Sequence, residues 1–238
     1  MNVNLASLPL KPIVYPESDG KPMADNTKQA RWIVILFDNL LALLAEEADV
    51  FIAADILWYP VEGEPEIRVA PDVLVAFGRP RRDRSSYKQW EEGGIAPQVV
   101  FEVLSPGNDP LEMADKLDFY DRHGVEEYYL YDPDRNRLAV YLRRGEVLRR
   151  MYPADGSVSP RLGIRFQLTE PEMTVYRPDG RRFLSFDQLE DERVRVEAAR
   201  RQADKRAELA VKRAELAEAE VERLRRLLDA TRQTGEQK

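Results

Sequence analysis

The stretch from Gln98 to Asp134 constrains the fold of this chain more than any other, because its pieces can be read with little ambiguity. QVVFEVLS is a short β-branched and aromatic run, as strands are. It is followed by NDPLEMADKLDFYDRHG, a helix with clear ends. Asp109 stands as its cap, Pro110 takes the first helical position, and Glu112 lies three residues after the cap. Gly124 can close it in a left-handed conformation, and His123 just before it can set a cation against the helix dipole. EEYYLYDPD then reads as another strand.

The same signals recur on both sides. Between about Thr27 and Ala48, the residues Ile33, Leu36, Phe37, Leu40, Leu41 and Leu44 are spaced by threes and fours, which predicts an amphipathic helix. DVFIAADILWYP and IRVAPDVLVAFG are strand candidates, and RLAVYLRRGEVLRRMYP reads as a hairpin turning at Arg144–Gly145. Strand signals continue to about Phe186. The expected class is α/β (α+β), with an N-terminal arm over 1–27, a globular domain over 28–186 and a helical tail over 187–238.

The tail announces itself by composition. From Asp187 there is no Pro, and no Gly until Gly235. KRAELAV at 205–211 is followed directly by KRAELAE at 212–218, a seven-residue repeat. One heptad phase aligns Ala207, Ala214, Val221 and Leu228 at one core position, and Ala210, Ala217 and Leu224 at the other. Two readings stay open: a solvated single helix held by i,i+4 Glu–Arg pairs, or a coiled coil that joins two chains into a homodimer. The tail carries 13 acidic and 13 basic residues, so the net charge of −7 belongs to the remainder.

Composition removes several chemistries. With no cysteine there is no disulfide, thiolate zinc site or thiol nucleophile. One histidine, His123, rules out multi-histidine metal sites. Any metal chemistry must then be carboxylate chemistry with a hard ion such as magnesium. The start of the chain lacks a basic leader followed by an apolar run. The apolar stretch Trp32–Ala45 is broken by Asp38 and Asn39 and is too short to span a bilayer. A soluble, cytoplasmic protein with no membrane partner is expected.

Two carboxylates stand out against this background. Asp72 lies in APDVLVAF and Glu102 in PQVVFEVLSP. Alternation puts Glu102 on one face with Val100 and Leu104, and Phe101 and Val103 on the other. Both runs are apolar enough for central strands, where a carboxylate costs several kcal/mol unless a charge compensates it. Two of them on neighbouring strands would call for a cation between them. Magnesium or manganese there would supply activated water and offset charge on a phosphodiester. A lysine two residues after Glu102 would assist, but that position is Leu104. Lys116 is the substitute, beside the face that Met113, Leu117 and Tyr120 would press onto the sheet. Each residue has a plainer reading: Lys116 in a surface pair with Glu112, Asp72 as a turn residue, Glu102 in a buried structural ion pair. The loop GRPRRDRSSYKQW adds Arg79, Arg81, Arg82, Arg84 and Lys88 interleaved with Tyr87 and Trp90. That suits a phosphate backbone and unstacked bases, or a solvated loop. Ser105 could donate to a phosphate or cap a turn.

At these residues the chain resembles the Uma-two family of restriction endonucleases, within the PD-(D/E)xK nuclease superfamily. The stretches that carry the resemblance are YPESDGKPMADN, APDVLVAFG, the basic loop, PQVVFEVLSPGN and MADKLDFYDRHGVEEYYLYDP, roughly residues 15 to 185. The resemblance implies a restriction-endonuclease-like mixed central sheet flanked by the helices around 28–47 and 110–123. It also implies Asp72 and Glu102 as metal-binding carboxylates, with the missing strand lysine displaced onto the helix at Lys116. The resulting reading is a magnesium-dependent DNA endonuclease. The Val103 carbonyl would be an extra ligand, Glu46 or Glu47 a fourth acidic ligand, and the basic loop and Ser105 the substrate contacts. The alternatives are a nuclease-like DNA-binding module without turnover and an adaptor assembled through its tail.

Overall fold

The computed structural model describes residues 13–235, with side chains through 214. Its contacts divide the chain into two units, one ending at Ser185 and one beginning at Phe186.

The first unit is built on a six-stranded mixed sheet. In chain order its strands are β1 (Val50–Ala54), β3 (Val73–Phe77), β5 (Val99–Val103), β6 (Glu127–Asp132), β7 (Arg137–Arg144) and β8 (Val147–Met151). They lie side by side in that same order. Four of the five pairings are antiparallel. The exception is β5 with β6, which run parallel with Glu102 opposite Leu130. Parallel neighbours require a crossover, and the crossover is the helix α2 (Pro110–Arg122). Its cap is Asp109, whose carboxylate accepts from the Leu111 amide, and Gly124 follows at φ +92°. His123 caps the other end with its ring against Phe119, and burial and Arg122 push its pKa down.

Both faces of the sheet are covered, which is why β3 is apolar throughout and β5 is apolar but for Glu102. One face packs on the helix α1 (Thr27–Leu43) and on a small hairpin, β9 (Arg165–Leu168) with β10 (Met173–Tyr176). Trp32, Ile33, Leu36 and Leu40 of α1 meet Val73, Val75, Phe101 and Val103 there. The helix is capped by Asn26 and stops at Leu43, short of the expected Ala48. Arg81 donates to the carbonyls of Leu44 and Val50, which fixes the turn into β1. The opposite face packs on α2 and on a two-residue parallel pair, β2 (Trp58–Tyr59) with β4 (Tyr87–Lys88). Glu102 belongs to this second face.

The second unit is a single helix, α3 (Phe186–Gly235). From Phe186 to Ala214 every residue is exposed. The heptad positions Ala217, Val221, Leu224 and Leu228 lie outside the described side chains. No described helix is long and apolar enough to cross a membrane.

Candidate active site

Asp72 sits immediately before β3, Glu102 is the fourth residue of β5, and Lys116 lies midway along α2. Pairing of β3 with β5 sets Val73 opposite Phe101, so Asp72 comes alongside the Glu102–Val103 peptide. Its Oδ2 accepts from the Val103 amide at 2.6 Å. Because α2 runs between β5 and β6, its inner face crosses above Glu102. Lys116 and Tyr120 are one helical turn apart and share that face. Lys116 Nζ lies 2.8 Å from Glu102 Oε2, and the Tyr120 hydroxyl donates to Oε1 at 2.5 Å. The structure therefore brings Asp72, Glu102 and Lys116 together, and Lys116 pairs with Glu102 rather than with Glu112.

A cavity of about 710 Å³ opens beside them. Asp72 and Lys116 line it, while Glu102, 3% exposed at its side chain, does not. The rest of its wall comes from Asp55 after β1, from Arg68, from α2 and from the arm that precedes α1. That arm is fastened at both ends. The Tyr59 hydroxyl donates to the Pro16 carbonyl, and Ser105 Oγ donates to Asp25 at 2.7 Å. Between them Lys21 reaches across to Glu112 at 3.3 Å.

The local field is short of positive charge. Burial and the Glu102 carboxylate push the Asp72 pKa well above the usual carboxylate value, and the Val103 amide and Lys116 only partly oppose them. Asp55 is raised in the same direction, by partial burial and then by Asp19. It also holds a left-handed backbone, φ +52°, uncommon for a residue other than glycine. For Lys116 burial works against the ammonium, yet the attraction of Glu102 outweighs it and the pKa rises. Burial and Glu102 keep the Tyr120 hydroxyl protonated, with its pKa well above the ordinary value.

Among the described residues no group of three or more His, Asp or Glu side chains is placed to hold a metal ion by itself. The donor set nonetheless fits a hard divalent ion. It offers oxygen only, from two adjacent carboxylates, and both Asp72 and Asp55 hold protons more tightly than isolated carboxylates do. Two protein carboxylates suit an ion that retains several of its own waters.

Several expected site residues lie elsewhere. The Val103 carbonyl already accepts from Gln29 Nε2 at 2.8 Å. Gln29, in the first turn of α1, is the residue of that helix that reaches the site; Glu46 and Glu47 lie beyond its other end. Ser105 is buried and spends its hydroxyl on Asp25. The basic loop follows β3, at the end opposite Asp72, and none of its residues lines the cavity. Arg79 donates to the Gly78 carbonyl, Arg81 fixes the turn before β1, and Arg82 and Arg84 hold Glu92. Lys88 pairs with Glu91 and lies over the Tyr15 ring. The cations that do line the cavity besides Lys116 are Lys21 and Arg68. Gln29, Asp55, Arg68 and Tyr120 carried no sequence signal as site residues. Only the apolar spacing of α2 pointed Tyr120 inward.

Among solved structures, a “putative nuclease belonging to DUF820” from Anabaena variabilis ATCC 29413 is similar. It has 18% identity and a TM-score of 0.43, covering 62% of this chain and 84% of that one. No curated protein matches the chain. The model of the Uma2 family, described as “Putative restriction endonuclease”, matches residues 17–175, which take in the end of the arm and the whole six-stranded sheet with α1 and α2. With more than half its length so matched, the chain belongs to the Uma2 family.

Proposed function

We propose that this protein is a metal-dependent DNA endonuclease, acting in the cytoplasm, in which Asp72 and Glu102 hold magnesium or manganese and Lys116 serves the scissile phosphate. The observation that carries the reading is the convergence of these three residues from β3, β5 and α2 beside one polar cavity. A divalent ion there would supply activated water and neutralise charge on the phosphoryl oxygens. In the hydrolysis the water oxygen bonds to phosphorus, the bond to one sugar oxygen breaks, and that oxygen takes up a proton. The chain's own part is to hold the carboxylates apart from bulk water and to keep an ammonium within reach of the phosphate. Lys21 and Arg68, rather than the loop after β3, are the additional cations placed to meet the phosphate backbone.

Cleavage of supercoiled plasmid and of short duplexes, with Mg²⁺ or Mn²⁺, tests this directly. Asp72→Asn should cut at least about a hundred-fold more slowly while keeping its fold, since the metal site loses a charged donor. Undiminished cutting by Asp72→Asn would overturn the site. One observation favours a second reading, a DNA-binding module without turnover: both oxygens of Glu102 are already taken, by Lys116 and Tyr120. That reading expects association with DNA and no metal-dependent strand scission.

The tail is the assembly element of the proposal, pairing two copies through its heptads. Deleting 187–238 should then lower the solution mass from dimer to monomer in sedimentation. A monomeric mass for both forms would overturn that role.

A further inference from the structure

The two groups that hold Glu102 differ in kind. Tyr120 is fully buried and locked in place. Its ring lies parallel to Trp58 at 6.3 Å and packs against Phe119 and Tyr128. Arg143 holds the adjacent backbone by donating to the Asp121 carbonyl at 2.6 Å. Lys116 is the opposite case. Its side chain is 18% exposed, lines the cavity, and ends a long flexible stem. A neutral hydroxyl on Oε1 can coexist with a cation on Oε2, because nothing repels it. An ammonium on Oε2 cannot, because the two positive charges would compete for the same oxygen.

We propose that Tyr120 is a positioning residue that keeps Glu102 aimed at Asp72 throughout, and that Lys116 is its exchangeable partner. Lys116 leaves Oε2 for the cavity when a divalent cation binds at Asp72 and Glu102. This rests on the metal reading given above and extends it. Lys116 then does two tasks in turn. Without the ion it neutralises a buried carboxylate that would otherwise be costly. With the ion, its ammonium stands in the cavity where a phosphate would enter. The device ties the availability of the lysine to the presence of metal.

The prediction is a pair of effects with opposite sign on one equilibrium. Mn²⁺ binding to the full chain, without DNA, is measured by calorimetry for the wild type, Lys116→Met, Lys116→Gln and Tyr120→Phe, with Asp72→Asn as the control for location. Removing the competing ammonium should tighten Mn²⁺ binding on the order of ten-fold. Lys116→Gln keeps a neutral donor and should shift in the same direction, which covers the case where Lys116→Met fails to fold. Tyr120→Phe should weaken binding by roughly 10–100-fold, as loss of a group that orients a ligand does. A purely structural role for the two residues would weaken binding in all the variants or change none. Either result overturns the proposal and leaves the metal site standing. Binding by Lys116→Met alone, with none by the wild type, supports it. Absence of binding in the wild type and in both Lys116 variants overturns the metal reading itself, and this proposal with it.

Discussion

Two glutamates buried in the first unit, Glu92 after the basic loop that follows β3 and Glu102 beside Asp72, are treated differently. Beyond the strand, Glu92 is 5% exposed at its side chain. Arg84 takes both of its oxygens, at 2.7 and 3.0 Å, and Arg82 adds a third bond at 3.0 Å. Arg84 is 4% exposed and stacks over Phe51 at 4.0 Å. Two guanidinium groups thus answer one carboxylate, and the Arg84 hydrogen bonds draw the Glu92 pKa down. Before the strand, one ammonium answers Glu102 with Asp72 and Asp55 close by, and the Asp72 pKa moves up. Burial of a carboxylate therefore does not by itself distinguish the proposed site; what sets Asp72 and Glu102 apart from Glu92 is that carboxylates outnumber the cations beside the cavity. A third buried glutamate, Glu127, is intermediate: Tyr129, Ser159 and the Arg161 amide all donate to it, yet burial still raises its pKa.

The largest effect that tests this contrast is on stability. Arg84→Ala leaves Glu92 with only the more exposed Arg82 and removes the contact with Phe51. Breaking a buried pair from one side costs about 3–5 kcal/mol, and urea unfolding should show a loss of that order. Mn²⁺ binding should not move. A variant that unfolds normally but no longer associates with DNA would instead make the loop a substrate surface and dissolve the contrast.

The loop is also where composition alone says least. Five cations and two aromatics in a short stretch have the composition of a phosphate-binding surface, and composition cannot tell a guanidinium facing solvent from one turned inward onto Glu92 and Phe51. Other parts were legible because their signals are local. Asp109, Pro110 and Gly124 delimit α2 without reference to the rest of the chain. The apolar alternation of VVFEV places Glu102 on the α2 side of the sheet, and the spacing of α2 turns Lys116 and Tyr120 toward it. What alternation cannot convey is a hydroxyl on an otherwise apolar ring finding the carboxylate. Nor can it convey the arm: Asp25, Gln29 and Ser105 meet only after α1 and β5 have packed. Asp55 reaches the cavity through a left-handed turn for which the segment AADILW carries no glycine signal.

The second test concerns the cavity beside Asp72, where carboxylates outnumber cations. Folded Asp72 holds its proton more tightly than the unfolded chain does, so its contribution to stability is present below the ordinary value of 3.8 and is lost as pH rises through the folded pKa. Asn cannot titrate, and its amide oxygen can still accept from the Val103 amide. Asp72→Asn should therefore be more stable than the wild type at neutral pH, by on the order of 1 kcal/mol. The advantage should shrink on acidification and vanish below the ordinary carboxylate value. Thermal unfolding at a series of pH values in metal-free buffer measures it. An Asp72→Asn variant less stable than wild type at neutral pH would mean that the site is already compensated, as Glu92 is.

The smallest effect comes from the second arginine on Glu92. Arg82 makes a bond of 3.0 Å to the same carboxylate as Arg84, but its side chain is 59% exposed. Solvent screens an exposed guanidinium and competes for its hydrogen bonds, so such a pair contributes about 0–1 kcal/mol. Arg82→Ala should shift the urea midpoint slightly, and the shift should shrink further in high salt. The double variant with Arg84→Ala decides whether the two act alone. If Arg84 by itself satisfies Glu92, Arg82→Ala costs little in the wild type and more once Arg84 is gone, because Arg82 is then the remaining cation on a buried charge. Equal costs in both backgrounds would mean that the two arginines act on Glu92 independently, so that its compensation is shared between them rather than carried by Arg84 with Arg82 in reserve.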